Sequence, residues 1–346
     1  MKTIVALLIF ASAIFLACNG SSFMLHDNNY KSSDKEYSFI KEYSISSPAN
    51  VVVSTTGGDI KAMSSGNEKV EVIFIVKKNN KVLDVSLEQL KDIAEVEITS
   101  ESSKLEINVK KIYERHVNVG FIVKTPSQTS CNFTTSGGDI QLTGLKGDQN
   151  IETSGGDLVF KNLSGNVKAN TSGGNIKINN AVAVIDVSTS GGDIVLDSIE
   201  GVTKVSTSGG SIKAKNLKPS LQAHTSGGDI KLQNLQGIID ASTSGGNVSL
   251  LNIDGSIKAT TSGGDIEAVI IKLTDQLILE TSGGSVQAAI PSGLGLSLDL
   301  SGEEVDTHLS NFSGTAKKDK IQGAMNGGGI LVQLSTSGGS VKLDFK

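Results

Sequence analysis

The chain has 346 residues, a length that accommodates one large domain or two modest ones. Its 31 basic and 36 acidic side chains give a net charge of −5, and with a single arginine and no basic stripe we expect no nucleic-acid partner. Aromatic residues make up 4% and glycines number 39, which favours a thin, regular all-β body filled by small aliphatic side chains.

Residues 1–17 have the pattern of a secretory signal peptide, with a positive start and an apolar segment too short to remain as a spanning helix. The sequence Phe-Leu-Ala-Cys is similar to the bacterial lipobox, except that Phe15 stands where Leu is usual, and it predicts lipidation at Cys18. An ordinary signal peptide cut near Ala17 is the alternative. Lipidation predicts a protein of the bacterial cell envelope, anchored to the outer membrane and facing the periplasm or the exterior.

Two segments follow the cysteine. Residues 18–36 are polar and aperiodic, and they predict a flexible tether. Residues 37–134 contain long alternating runs, such as 69–78, and predict a β-rich start that caps the rest of the fold. Within them, residues 84–95 place apolar side chains at helical spacing after Ser86, a good N-cap, so we expect one short helix.

The segment 135–290 repeats every 18 residues. Each unit opens with TSGG, and the threonine is position 1 of the unit. Positions 6, 8, 11 and 17 are apolar, and the runs 5–8 and 15–18 alternate as strands with one buried face do. This pattern predicts a parallel β-solenoid (β-helix) of 18-residue rungs stacked about 4.8 Å apart. Its handedness and its number of sides, two or three, stay open. The leading threonines are Thr135, Thr153, Thr171, Thr189, Thr207, Thr225, Thr243 and Thr261.

Irregular copies lie outside the strict repeat. TSGG returns at Thr281 after 20 residues and again at Thr336, and TTGGDI occupies 55–60. Residues 291–346 alternate strongly but lose the rhythm, and we expect further β-rungs and a cap there, since an open solenoid end exposes strand edges. The corners are expected at Gly-Gly in positions 3–4, at position 10, which is usually Asn, and at position 13, which is Gly, Ala or Pro; glycine and asparagine tolerate the positive φ angles that sharp corners require.

Outward positions are patterned as well, because equivalent residues of a solenoid lie directly above one another. From Asp157 onward, position 5 alternates carboxylates with neutral residues, although Asp139 stacks directly on Asp157. Position 16 also keeps like charges off neighbouring rungs. Asparagines recur at position 10 and predict an amide ladder; they are Asn162, Asn180, Asn216, Asn234 and Asn252.

The motif TSGGD resembles the Gly-Gly-x-Gly-x-Asp nonapeptides that bind calcium. Here the third glycine is missing and Ser or Asn replaces Asp in alternate units, so the oxygens for a calcium cage are too few. A phosphate loop would need Lys-Ser/Thr and a helix after its glycines, whereas a strand follows. We therefore expect no metal and no cofactor, and we interpret the motif as an acidic corner.

Enzymatic residues are sparse. Parallel β-helices include polysaccharide-cleaving enzymes, which need two converging carboxylates, and the acidic residues that break the repeat are Asp254, Asp275, Glu303, Glu304 and Asp306. We expect them in solvated loops. The histidines, His26, His116, His224 and His308, are scattered. Cys131 has no cysteine partner once Cys18 is lipidated, so we expect a small buried hydrophobe.

The recurring TSGGDI with Asn-Leu-x-Gly between copies resembles the bacterial putative-adhesin family of β-strand-repeat proteins of unknown function. The sequences VVVSTTGGDIKA (51–62), FIVKTP (121–126) and GAMNGGGILVQLSTSGGSVKLDF (323–345) are similar to it too. The resemblance covers residues 37–346, implies a β-solenoid on the bacterial envelope, and offers no catalytic residues.

The leading functional hypothesis is therefore a non-enzymatic lipoprotein, an adhesin or binding scaffold that is anchored to the membrane and presents a polar ladder surface to a glycan or an envelope protein. The alternative is a structural rod that assembles with copies of itself. A β-helix enzyme that acts on polysaccharides is a third possibility.

Overall fold

The computed structural model describes residues 35–346, which form a long β-solenoid with one short helix. The predicted signal peptide, Cys18, His26 and nearly all of the predicted tether lie outside the described residues. The strands are β1 (Phe39–Tyr43), β2 (Ala49–Thr55), β3 (Ile60–Ser64), β4 (Val70–Lys78), β5 (Lys81–Val82), β6 (Ala94–Ser100), β7 (Lys104–Ile112), β8 (Val117–Thr125), β9 (Thr129–Thr135), β10 (Ile140–Thr143), β11 (Gln149–Thr153), β12 (Leu158–Thr171), β13 (Ile176–Thr189), β14 (Ile194–Ser206), β15 (Ile212–His224), β16 (Ile230–Ser242), β17 (Val248–Thr260), β18 (Ile266–Glu280), β19 (Val286–Ile290), β20 (Leu296–Ser301), β21 (Glu304–Thr307), β22 (Phe312–Ala316), β23 (Lys320–Met325), β24 (Ile330–Ser335) and β25 (Ser340–Phe345).

From β12 to β17, each strand pairs in parallel with the next, and paired residues are 18 positions apart. In β13 and β14, for example, Ile176 pairs with Ile194 and Val187 with Val205. This register confirms the predicted β-solenoid of 18-residue rungs. Position 10 interrupts the pairing, because Ser198 and the asparagines in its column take φ angles between 55° and 59°. The predicted left-handed corner is thus confirmed at that position.

The core runs along the axis of the stack and is built from inward positions 1, 4, 6, 8, 11, 15 and 17. The sequence pattern identified positions 6, 8, 11 and 17; the structure adds the threonine, the second glycine and position 15. Cys131 lies in the position-15 column, between its register partners Val51 and Gln149. The thiol is buried as expected, and this burial raises its pKa.

The buried threonine at position 1 joins successive corners. In the Thr207 rung, the hydroxyl donates to the Gly192 carbonyl of the preceding rung at 2.9 Å and accepts from the Gly210 N–H at 3.2 Å. Equivalent bonds occur in every rung from Thr135 to Thr281. Because a buried polar group is costly unless it is hydrogen-bonded, these two bonds explain why position 1 is Thr rather than Val.

The glycine pair at positions 3–4 does not turn through positive φ angles, so that part of the prediction was wrong. The second glycine is needed for space instead. A Cβ on Gly192 would lie 2.0 Å from the Gly174 carbonyl oxygen, whereas a Cβ on Gly191 would lie 3.6 Å from the Ser172 oxygen. Successive corners therefore pack backbone against backbone at position 4, where only glycine fits.

At both ends, the spatial order of rungs differs from the chain order. Strands β2 and β3 pair with β9 and β10 on one side and with β7 and β8 on the other, so the outermost rung follows β3 in sequence. At the far end, β24 and β25 stack on β18 and β19, and β20 and β21 lie outside them. The Thr336 hydroxyl donates to the Gly284 carbonyl, so the last TSGG continues the central column.

Antiparallel strands cover these outer rungs. At the N-terminal end, β6 pairs with β7, β4 with β8 and β1 with β4. Helix α1 (Leu87–Ile93) precedes β6; Ser86 and Gln89 form a capping box, and Leu90 and Ile93 are buried, which confirms the predicted short helix. At the other end, β22 and β23 form a hairpin against β20. Among residues 35–346, no helix is both long and apolar enough to cross a membrane.

Candidate binding surface

The carboxylates singled out from the sequence lie on different parts of the solenoid. Asp254, at position 12 of its rung, accepts from Gln236 Nε2 at 3.4 Å and lies 3.8 Å from Lys272 Nζ. Asp275 immediately precedes the part of β18 that pairs with β24. Glu303, Glu304 and Asp306 belong instead to the segment around β21, which pairs with β25.

The described histidines are likewise dispersed. His116 lies just before β8, with a φ of 60°. His224 is at position 18, where its Nδ1 lies 2.7 Å from Ser242 Oγ, and His308 follows β21. In residues 35–346, no three His, Cys, Asp or Glu side chains are grouped in a way that could hold a metal ion.

The TSGGD corner uses its polar side chain for stacking. Asp229 Oδ1 accepts the N–H of Asn247 in the next rung at 2.9 Å, and the Asp229 N–H donates to Ser211 Oγ at 3.3 Å. The same bond links position 5 of each rung from Asp59 to Ser285. Asp, Asn and Ser share a short side chain with an acceptor oxygen, which explains their exchange at this position. Sequence reasoning attributed the pattern to charge spacing alone and missed this requirement.

The predicted amide ladder at position 10 is confirmed. The Nδ2 of Asn180 donates to Asn162 Oδ1 at 2.7 Å, and Asn234 and Asn252 repeat the contact with the preceding asparagine at 3.2 and 3.1 Å. Ser198 interrupts the column, and there Asp197 takes the place of an amide partner by accepting from Ser198 Oγ at 2.9 Å and from Asn216 Nδ2 at 3.0 Å. The exposed corner is therefore a ladder in two parts, Asn162–Asn180 and Asp197–Asn216–Asn234–Asn252.

Asp197 also forms an ion pair with a lysine of the next rung in the same column. Lys215 Nζ lies 2.9 Å from Asp197 Oδ2, and this contact, together with the two hydrogen bonds from Asn216 and Ser198, holds the pKa of the Asp197 carboxyl below its usual value. Position 12 carries further ion pairs along the stack, such as Glu200 with Lys218 at 3.6 Å. Such exposed pairs add little stability each.

Two shallow depressions flank the amide ladder. The first, which we call the lysine depression, has a volume of about 410 Å³ and lies across outward positions 7 and 9 of β14–β17. The second, the amide depression, has a volume of about 430 Å³ and lies across positions 10 and 12. The outward side chains of the lysine depression are Val195, Lys213, Lys215, Lys231, Gln233, Ser249 and Leu251. The outward side chains of the amide depression are Asn180, Val182, Ser198, Glu200, Asn216, Lys218, Asn234 and Gln236.

The surface around the ladder is thus mixed in chemistry. It offers amide donors and acceptors at regular intervals, ammonium groups on one flank, and exposed apolar side chains such as Val182 and Leu251. Because these groups project from strands of a continuous sheet, their backbone positions and spacing are fixed before any ligand arrives.

Comparison with known proteins places this architecture in a family. The family model described as Toastrack DUF4097 matches residues 42–240. No curated protein matches the chain.

Solved structures that match the chain include a putative adhesin from Bacteroides fragilis, with 13% identity, a TM-score of 0.27, and coverage of 88% of this chain and 96% of that one. A putative cell adhesion protein from Clostridium sporogenes has 11% identity and a TM-score of 0.20, with coverages of 89% and 99%. A putative lipid binding protein from Parabacteroides distasonis has 14% identity and a TM-score of 0.32, with coverages of 88% and 96%.

Proposed function

This chain belongs to the Toastrack DUF4097 family, and we propose that it is a non-enzymatic binding scaffold, an adhesin-like protein whose solenoid presents the surface around its amide ladder to a glycan. The observation that carries the proposal is the pair of depressions, of about 410 and 430 Å³, on either side of that ladder. They lie on the regular central rungs, and none of the candidate catalytic carboxylates lies in either depression.

The geometry suits a chain of sugars. Rungs repeat about every 4.8 Å, so hydrogen-bonding side chains recur along the stack and an extended oligosaccharide can contact several rungs at once. Asn180, Asn216 and Asn234 are fixed by the ladder, and fixed groups lose little conformational entropy when a ligand binds. Many weak polar contacts on a rigid surface then add up to useful affinity.

A direct test uses the full-length chain in detergent micelles on a broad glycan array and on isolated cell walls. We expect Gln233→Trp with Gln236→Trp, which places indoles in both depressions, to weaken saccharide binding at least tenfold. Gln222→Trp is the matched control, because Gln222 is equally exposed but lies at position 16, away from both depressions. Binding of no saccharide by the unsubstituted chain would refute the proposal.

We further propose that the protein is anchored in the bacterial envelope through a lipid on Cys18. The support is the signal-like segment 1–17 and the lipobox-like sequence that ends at this cysteine. Metabolic labelling with a radioactive fatty acid should mark the natural chain and not Cys18→Ser. Protease accessibility on intact cells then determines whether the solenoid faces the periplasm or the exterior, and so which glycans it can meet.

A second candidate function, a self-assembling rod, is favoured by the strand edges. Strand β6 and strand β22 each have one partner strand, at opposite ends of the molecule. The outer strand β22, FSGTA, is almost entirely exposed and has neither a charge nor a proline, the usual protections of a free edge. If the rod assembles end to end, sedimentation at rising concentration should show growing oligomers, which Thr315→Lys abolishes. A strict monomer at high concentration would exclude this function.

A further inference from the structure

One pair of lysines departs from the charge pattern of the outer columns. Lys213 and Lys231 occupy position 7 of neighbouring rungs and are direct register partners. In residues 135–290, no other two lysines stack at the same position of adjacent rungs. Like charges directly opposite each other on a sheet are destabilising, whereas in another outer column of the central rungs opposite charges are neighbours, as with Asp186 and Lys204.

Of these two lysines, only Lys231 has a carboxylate partner among the described residues. Lys231 Nζ lies 3.8 Å from Asp229, whose other oxygen already accepts the Asn247 N–H. Lys215, two residues along from Lys213, is paired with Asp197. Among the described residues, Lys213 has no carboxylate within ion-pair distance. An excess of positive charge therefore lies in the lysine depression of a chain whose net charge is −5.

We infer that the lysine depression binds an acidic glycan, a saccharide chain that carries carboxylate groups, and that Lys213 and Lys231 hold one of these groups between them. The inference rests on the proposed function and adds that the glycan ligand is negatively charged. A dense polyanion such as nucleic acid fits poorly, because one small lysine cluster on an acidic protein neutralises few phosphates. A sugar also matches the remaining lining, where Gln233 and Ser249 offer hydrogen bonds and Leu251 an apolar surface.

The test compares two probes on the full-length chain in detergent micelles by calorimetry: a galacturonic acid hexamer and its neutral methyl ester. We expect the acid form to bind at least tenfold more tightly than the ester, and added salt to weaken its binding. Lys213→Gln with Lys231→Gln should reduce affinity for the acid at least tenfold while leaving that for the ester unchanged.

Lys177→Gln is the matched control. Lys177 also occupies position 7, but its register partners are Val159 and Val195, so it has no lysine neighbour. For Lys177→Gln we expect less than a twofold change in affinity for the acid.

The double variant should unfold at the same temperature as the natural chain or higher, since it removes the repulsion. Equal binding of acid and ester, or an unchanged affinity in the double variant, overturns the inference while leaving the proposed function in place. If neither probe nor any other saccharide binds, both fail. Inorganic phosphate that competes as well as the hexamer would overturn the assignment to a glycan.

Discussion

The central rungs and the terminal rungs have the same corner hydrogen bonds. They differ in the sequence separation of the residues that these bonds join. In the centre, the position-5 hydrogen bond joins residues 18 apart in sequence, as between Asp229 and Asn247. At the N-terminal end, the same bond joins Asp59 to Asp139 across 80 residues, and at the other end Ser285 to Ser340 across 55. The stack is therefore defined by the bonds between corners, not by the continuity of the chain.

This difference indicates that central and terminal rungs have different roles in the fold. Central rungs are interchangeable, since each contacts only its two neighbours, as in other repeat proteins. At each end, long segments of chain separate neighbouring rungs, and one rung lies outside the TTGG corner at residue 55 or the TSGG corner at Thr336. Antiparallel strands cover this outer rung. Closing such loops is costly in entropy, so the ends must contribute something that the centre cannot, namely protection of the open edges.

Deletions should separate these roles most sharply. Removing residues 207–224 takes out one central rung and joins Ser206 to Thr225 with every column in register, so we expect a soluble, folded protein with a shorter stack. Removing residues 104–121, also 18 residues, eliminates β7 and half of β8 and uncovers β2; we expect an insoluble chain. Circular dichroism and soluble yield measure both.

A deletion of residues 207–215 serves as the control for register. It shifts the following columns by half a rung and points polar side chains inward, so it should abolish cooperative unfolding. Equal stability of the deletions 104–121 and 207–224 would show that the terminal rungs are ordinary rungs.

The second largest effect is expected at the glycine pair of the corner. Gly192→Ala places a methyl group against the Gly174 carbonyl, so the backbone must shift; we expect a loss of about 3 kcal/mol or more in the free energy of unfolding. The neighbouring Gly191→Ala has room and should cost less than about 1 kcal/mol. Urea denaturation of the two variants provides the comparison, and similar losses would contradict the role assigned to position 4.

The contrast between these glycines also separates the features that the sequence predicts from those that it does not. Period, strand spacing and stacking predicted the solenoid, and the side-chain types predicted the amide ladder and the Ser86 cap. The reason for Gly192 could not be predicted, because it depends on the distance between backbones of two rungs. The swapped order of the terminal rungs was equally hidden, since TTGG at residue 55 and TSGG at Thr336 look like ordinary copies.

The candidate surface was predictable only in outline. Alternation identified positions 7 and 9 as outward, but depressions depend on how long side chains such as Lys213 and Lys215 lean across neighbouring columns. The contact of Asp197 with the ladder was likewise hidden from the sequence, because the residue belongs to position 9 and yet accepts hydrogen bonds from Ser198 and Asn216 at position 10.

A smaller effect should come from the buried hydroxyl of position 1. Thr207→Val keeps the shape but leaves the Gly192 carbonyl and the Gly210 N–H without this partner, which should cost about 1–3 kcal/mol. Thr203→Val is the control, because Thr203 is also buried but lies in the position-15 column beside Ile185 and Leu221, and its hydroxyl makes one bond, to the Gly201 carbonyl at 3.2 Å within its own rung. We expect a smaller loss for it in chemical denaturation, and a larger loss for Thr203→Val than for Thr207→Val would contradict this account of the corner.

The smallest effect on stability concerns the ion pair between Asp197 and Lys215, and it depends on pH. The pKa of Asp197 is lowered in the folded protein, chiefly by the hydrogen bond from Lys215. The carboxylate therefore stabilises the fold above the pKa of an unfolded aspartate, and this contribution is lost as pH falls through the lower folded value. Asp197→Asn keeps an oxygen for Asn216 and should lower stability at pH 7 by at most about 1 kcal/mol, with no difference near pH 2. Urea midpoints at both pH values test this, with Glu267→Gln, an exposed carboxylate at position 7, correcting for the change in net charge. A difference that persists at low pH would mean that Asp197 acts through its hydrogen bonds to Ser198 and Asn216 and not through its charge.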